Sequence, residues 1–125
     1  MISLPYPPSV NRLYRSINGR SILSKVGREY YAKAVPIAEA SGINLRGPYV
    51  LILRAHRPDK RRRDVGNLEK VCSDVLVKSG VVEDDSYAQA ILSSWADSPV
   101  KLICSIQHGT DVPILHVELG ASNAN

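Results

Sequence analysis

The sequence predicts a small α/β domain of the α+β kind, a mixed sheet of about four or five strands packed with two main helices. Three observations lead there. "PYVLILRAHR" (48–57) is an unbroken β-branched and leucine-rich run, as a buried strand requires. Leu68, Val71, Cys72, Val75 and Leu76 then recur at i, i+3, i+4, i+7 and i+8, one narrow stripe of an amphipathic helix. Beyond the helix lie further apolar runs of strand length, "AQAILSSW" (88–95), "VKLICSIQ" (100–107) and "PILHVEL" (113–119). At 125 residues the chain has the length of one domain, and no repeat or linker divides it.

Taken in order, Ile2–Leu4 reads as a short strand ended by the proline-rich "PYPPS". A polar stretch follows, with Asn18-Gly19 marking a tight turn. Ser24 suits the N-cap of a helix carrying Tyr30, Tyr31, Ala34, Val35 and Ala38 on one face, which Pro36 should kink or split. The second helix ends at Lys78-Ser79-Gly80, with a cation in its last turn and a glycine after it. Lys70 and Asp74 lie opposite its apolar stripe and therefore face solvent or a ligand. Asp84 and Asp85 fall in the loop beyond. The runs at 88–95 and 100–107 read as strands joined by a turn around Asp97–Pro99, 113–119 as an added edge strand, and "GASNAN" as a loose tail.

Charged residues make up 22% and hydrophobic ones 44% of the chain, a soluble globular composition. The net charge is +4 and the pI about 9.2, a mild excess whose distribution matters more than its size. Lys60, Arg61, Arg62 and Arg63 are contiguous, with Arg54 and Arg57 just upstream. Clustered cations suit a polyanion, nucleic acid first, and equally a solvated loop. Cys72 and Cys104 fall in apolar runs without metal-ligand spacing and read as core residues of a reducing compartment. There is no signal-peptide pattern and no apolar run long enough to span a bilayer, so an intracellular, soluble protein without membrane partners is expected.

Asp64 opens the second helix, and Asp84 and Asp85 follow its far end; an antiparallel segment folding back over the sheet would let them meet. Carboxylates gathered at a surface repel one another unless a hard cation holds them. Mg²⁺ takes a few carboxylates and bridges to phosphate oxygens, where it can activate water and stabilise developing charge. The arginines would attract the phosphate backbone and Lys70 would neutralise charge at the reacting phosphate. The plainer alternatives stand beside this. Asp64 at that position caps a helix, Asp84 and Asp85 suit a turn, and Lys70 suits a solvated surface.

The combination is more specific than its parts. "LPYPPSVNRLYR" followed by "RPDKRRRDVGNLEKVCSDVLVKSGVVEDD" resembles the RusA family of Holliday-junction resolvases, over roughly residues 2–109 of the single domain 1–125. The first block is similar to that family's Leu-Pro-x-Pro-Pro-Ser-x-Asn opening. The second is similar to its arginine run, its Asp-x-Asp-Asn-Leu-x-Lys motif and its later Asp-Asp pair. Residues 110–125 extend beyond the resemblance. It implies a bacterial or phage-encoded cytoplasmic homodimer that binds four-way junctions and cuts them by paired nicks in recombination and repair, with Mg²⁺ as cofactor. Two-fold symmetry suits two matched cuts. By the same resemblance Asp64, Lys70 and Asp85 are catalytic, and Asp64, Asp85 and Asp84 hold metal. Lys60, Arg61, Arg62, Arg63, Asn11 and Arg12 meet DNA.

Gly66 departs from the pattern, which has a metal-binding aspartate there. Glycine offers no ligand, and Glu69 and Asp74 lack the helical phase to replace one at 66 without rearrangement. An introduced inactivating change, a natural loss of activity and a site working with fewer ligands each fit. The reading is retained junction binding with impaired cleavage, and a catalytically inactive branched-DNA-binding protein is the alternative.

Overall fold

The computed structural model describes residues 1–98 and 112–121. Five elements precede the long central strand. They are β1 (Ile2–Leu4), the single turn α1 (Val10–Leu13), β2 (Tyr14–Ile17), β3 (Arg20–Leu23) and α2 (Lys25–Ala40). Then come β4 (Tyr49–Ala55), a 3₁₀ turn at Val65–Leu68, α3 (Glu69–Lys78), a second 3₁₀ turn at Asp85–Tyr87, β5 (Ala88–Trp95) and β6 (Ile114–Leu119). The strand expected at 100–107, with Cys104, lies outside the described residues, as do residues 122–125 of the expected tail.

The main sheet has the order β1-β6-β4-β5, and every pairing in it among the described residues is parallel. Two expectations are corrected here. The run at 113–119 is not an edge strand, because β6 pairs with β1 on one side and with β4 on the other. Its alternate residues Leu115, Val117 and Leu119 are buried, and a central position is what such a strand needs. The return after α3 is not antiparallel either. β5 runs parallel to β4, so α3 is the crossover of a β-α-β unit.

The polar stretch near the start forms structure that its composition did not suggest. β2 and β3 pair as an antiparallel hairpin across Asn18 and Gly19, both with positive φ (51° and 76°). That turn matches the twist of the strands it joins. α2 is one continuous helix through Pro36, with Ser24 capping it through Gly27 N–H at 3.0 Å. Pro36 is tolerated because it sits on the exposed face, where water can bond the carbonyl it leaves unpaired.

One face of the sheet supplies Leu51, Leu53 and Ala55 of β4 with Leu115, Val117 and Leu119 of β6. These meet Tyr30, Tyr31, Ala34 and Ala38 of α2 and Val71, Cys72, Val75 and Leu76 of α3. The predicted stripe is therefore the packing face. Cys72 is a free, buried thiol whose pKa burial pushes up to about 12, so it stays protonated and inert.

Candidate active site

Asp64 is the N-cap of the 3₁₀ turn that leads into α3. Its Oδ1 accepts the Gly66 N–H at 2.9 Å, and its carbonyl accepts the Asn67 N–H at 3.1 Å. Capping is thus a real role of this carboxylate. Gly66 has no positive φ, so the backbone there is open to other residues. A Cβ built on it would stand 3.3 Å from Asp64 Oδ1. Any side chain at 66 would therefore start beside the Asp64 carboxylate, which must give by a few tenths of an ångström to admit it.

The proline segment after β1 packs beside this turn. A cleft of about 240 Å³ is lined by Pro8, Val10, Arg62, Asp64, Asn67 and Leu68, among others. A neighbouring hollow of about 390 Å³ is lined by Tyr6, Arg12, Pro58, Arg61 and Arg63. The fold thus brings together the two sequence blocks, far apart in the chain. Gly120, just past β6, permits the close approach. A Cβ there would stand 3.1 Å from Tyr6 Cβ and 3.2 Å from the His56 carbonyl.

The basic run divides. Arg63 donates to Asp59 at 2.8 and 3.3 Å, and its guanidinium lies 5.6 Å from the Tyr6 ring centroid. It fastens the loop to the N-terminal segment. Asp59 is held below the usual carboxylate range by its Arg63 hydrogen bond and then by the Arg61 backbone N–H. The Arg61 side chain stands only 3.9 Å from Asp59 and is otherwise exposed. Lys60 and Arg62 are exposed and have no ion pair among the described residues. Asn11 and Arg12 are exposed on α1, and Arg12 alone of the two lines the hollow. Upstream, Arg57 is held by Asp97 at 3.0 Å and stacks on Trp95, 4.3 Å from its ring centroid.

Lys70 is exposed and free of hydrogen bonds and ion pairs among the described residues, as its helical phase implied. Asp74 is not fully solvent-facing, because its carboxylate accepts the Tyr31 hydroxyl at 3.4 Å. Asp84 and Asp85 precede β5 as an exposed pair. Asp84 is held low by the Ser86 backbone N–H and then by its contact with Asp85. Asp85 is pushed up by hydrogen bonding to Asp84, then by burial, then by the negative charge of Asp84, Asp74 and Glu69. This pair can share a proton or a cation.

Four side chains outside the sequence reading emerge nearby or across the sheet. Tyr49 opens β4 opposite Ala88, fully buried, and its hydroxyl has no partner among the described residues. Burial and then the charge of Asp85 push its pKa up to about 12, so it remains a donor. A Val-Leu-Ile strand gives no signal that its first tyrosine would face acids. Glu118, only 4% exposed, lies between His56 Nε2 at 2.7 Å and His116 Nε2 at 2.8 Å, with Arg54 at 3.5 Å.

Among the described residues, no three Asp, Glu, His or Cys side chains stand close enough to hold a metal ion. Asp64 and the Asp84–Asp85 pair therefore do not form a preassembled cage. Mg²⁺ needs fewer protein ligands than that, being content with one or two carboxylates, waters and substrate phosphates. Asp84 and Asp85 fit this looser mode.

The sequence matches the family model described as endodeoxyribonuclease RusA over residues 5–107. The chain belongs to the RusA family of endodeoxyribonucleases. It is 41% identical over 87 residues to the crossover junction endodeoxyribonuclease of Enterobacteria phage 82, a span covering 68% of this chain and 72% of that protein. Proteins of the same name from Shigella sonnei and Escherichia coli are 40% identical with the same coverage. Like its RusA relatives, the chain is a nuclease by family. No described helix is long and apolar enough to cross a membrane.

Proposed function

We propose that this chain is a bacterial or phage-encoded cytoplasmic protein that binds four-way DNA junctions as a homodimer. Its family's activity is to resolve them by paired Mg²⁺-dependent nicks in recombination and repair, and Gly66 impairs cleavage in this chain. The observation that carries the reading is the 40–41% identity to crossover junction endodeoxyribonucleases of phage and enterobacteria. Cations without ion-pair partners among the described residues at Lys60, Arg62 and Lys70, with Arg62 lining the same cleft as Asp64, support it, since a nuclease must draw in a polyanion before cutting.

Bound Mg²⁺ would supply an activated water and charge neutralisation at the phosphate. Asp85 and Asp84 would hold the ion, with Asp64 as the further metal-binding carboxylate that the family pattern implies. Lys70 would offset charge on the phosphate. The 3.3 Å approach of a Cβ at 66 to Asp64 Oδ1 supports a joint role for the two positions. A carboxylate there would stand beside Asp64 and complete a pair that only a cation could relieve. The same observation favours a second reading, a branched-DNA-binding protein that does not cut.

The test is a labelled synthetic four-way junction incubated with the chain and with Gly66→Asp, with and without Mg²⁺. Junction binding by both is expected. Symmetric nicking by Gly66→Asp should exceed that of the chain at least tenfold, roughly the scale on which even outer-shell partners of a metal matter. It should vanish in Gly66→Asp/Asp64→Asn. Equal nicking by the chain and the variant would refute the role given to position 66. Strong binding with no nicking by either would establish the second reading.

A further inference from the structure

We propose that the cleft beside Asp64 is a base-recognition subsite. In it the Asn67 amide reads the edge of one unstacked nucleobase of the substrate strand, while Arg62 holds the adjoining phosphate. The inference rests on the junction-binding reading above and deepens it, because it says what would set a sequence preference.

The cleft joins an apolar side, with Pro8, Val10 and Leu68, to a polar one, with Arg62, Asp64 and Asn67. Its volume, about 240 Å³, is below the roughly 300 Å³ where drug-sized pockets begin, which suits one planar base. Two charged groups around it are already engaged. Arg63 is fastened to Asp59, and Asp64 Oδ1 accepts from Gly66. The Asn67 backbone N–H is bonded to the Asp64 carbonyl, so the turn fixes where this side chain starts. The Asn67 amide and the Arg62 guanidinium are different: neither has a hydrogen-bond or ion-pair partner among the described residues.

An amide offers one acceptor beside two donors, the pattern that pairs bidentately with a base edge such as adenine N6 and N7. A guanidinium suits the phosphate. A base inside a duplex cannot enter such a cleft. At the exchange point of a four-way junction stacking is interrupted, and unstacking there is least costly. Because Asp64 shares the cleft, a base seated in it would fix which phosphate lies at the reacting group.

The test uses gel shifts with chelator present, so it does not depend on cleavage. Four-way junctions carrying a single abasic position, moved stepwise around the exchange point, are compared first. Loss of affinity at one position is expected. The four natural bases at that position should then differ by about tenfold in affinity for the chain, the scale of one bidentate contact. In Asn67→Ala the difference should fall below about twofold while junction binding persists. A merely structural role for Asn67 would weaken all four bases equally. Junction binding with no base dependence, or with base dependence unchanged in Asn67→Ala, would overturn the subsite and leave junction binding standing. No preference for junction over duplex would overturn both.

Discussion

Lys60, Arg61, Arg62 and Arg63 carry one charge each, yet their surroundings give them different roles. Arg63 is tied to Asp59 and covers Tyr6, while Arg62 has no partner among the described residues. A cation already neutralised by a carboxylate releases fewer counterions on binding DNA. Arg62→Ala should therefore lower the salt slope of junction binding by about one unit and leave the melting temperature unchanged. Arg63→Ala should lower the melting temperature by several degrees and change the slope less. Binding measured across a salt series, with thermal melts of each variant, checks this, and equal slope losses would refute the division. The charge of the run was legible in the sequence, as were the capping by Asp64 and the exposure of Lys70. Which arginine is free was not, because it depends on Tyr6, a residue from the other end of the motif pair. Asp74 shows the same limit. Helical phase placed it off the core stripe, but only the packing of α2 brings it the Tyr31 hydroxyl.

β6 shows how much an element can hide behind a correct assignment. Its alternation was readable, with Leu115, Val117 and Leu119 on one face and His116 and Glu118 on the other. That Glu118 is buried and held by His56, His116 and Arg54 follows from its pairing with β4, where Arg54 stands opposite it. Burial alone would raise this carboxyl. Hydrogen bonds from the two imidazoles and the charge of Arg54 outweigh it and hold the group below the usual carboxylate range. For a depressed carboxylate the stabilisation is fully present above the unfolded value near 4.3 and is lost as pH falls through the folded one. Stability should thus decline below about pH 4.3 in part because Glu118 takes up a proton. Glu118→Gln should cost about 2 kcal/mol at pH 7, as charge-assisted hydrogen bonds do, and its acid decline should be shallower. Urea unfolding at a series of pH values checks this; parallel pH curves for the two proteins would exclude Glu118 as the titrating group.

For the molecule as a whole, strand order is what composition and periodicity leave open. Periodicity says that a segment is a strand and which residues share a face, but neighbours in a sheet are chosen by packing across the chain. The chain's last described strand was therefore read as an edge addition, whereas it fills the middle of the sheet between β1 and β4. This position ties distant parts together. Val50 N–H bonds the Pro113 carbonyl, His56 N–H bonds the Leu119 carbonyl, and Gly120 N–H bonds the Leu4 carbonyl. The last of these seats Tyr6, and with it the proline segment that lines the cleft. Burying Leu115, Val117 and Leu119 contributes roughly 1.5–3 kcal/mol each, against a total stability of about 5–15 kcal/mol for a domain. Removing residues 112–125 should consequently do more than trim an edge. It should abolish cooperative unfolding and, with it, junction binding, because β1 and β4 lose their shared neighbour and the cleft loses its support. Thermal melts followed by circular dichroism, with gel shifts on the same preparation, check the expectation. A truncated chain that melts cooperatively within a few degrees of the full one would mean that β6 is dispensable, and that β1 and β4 close on one another without it.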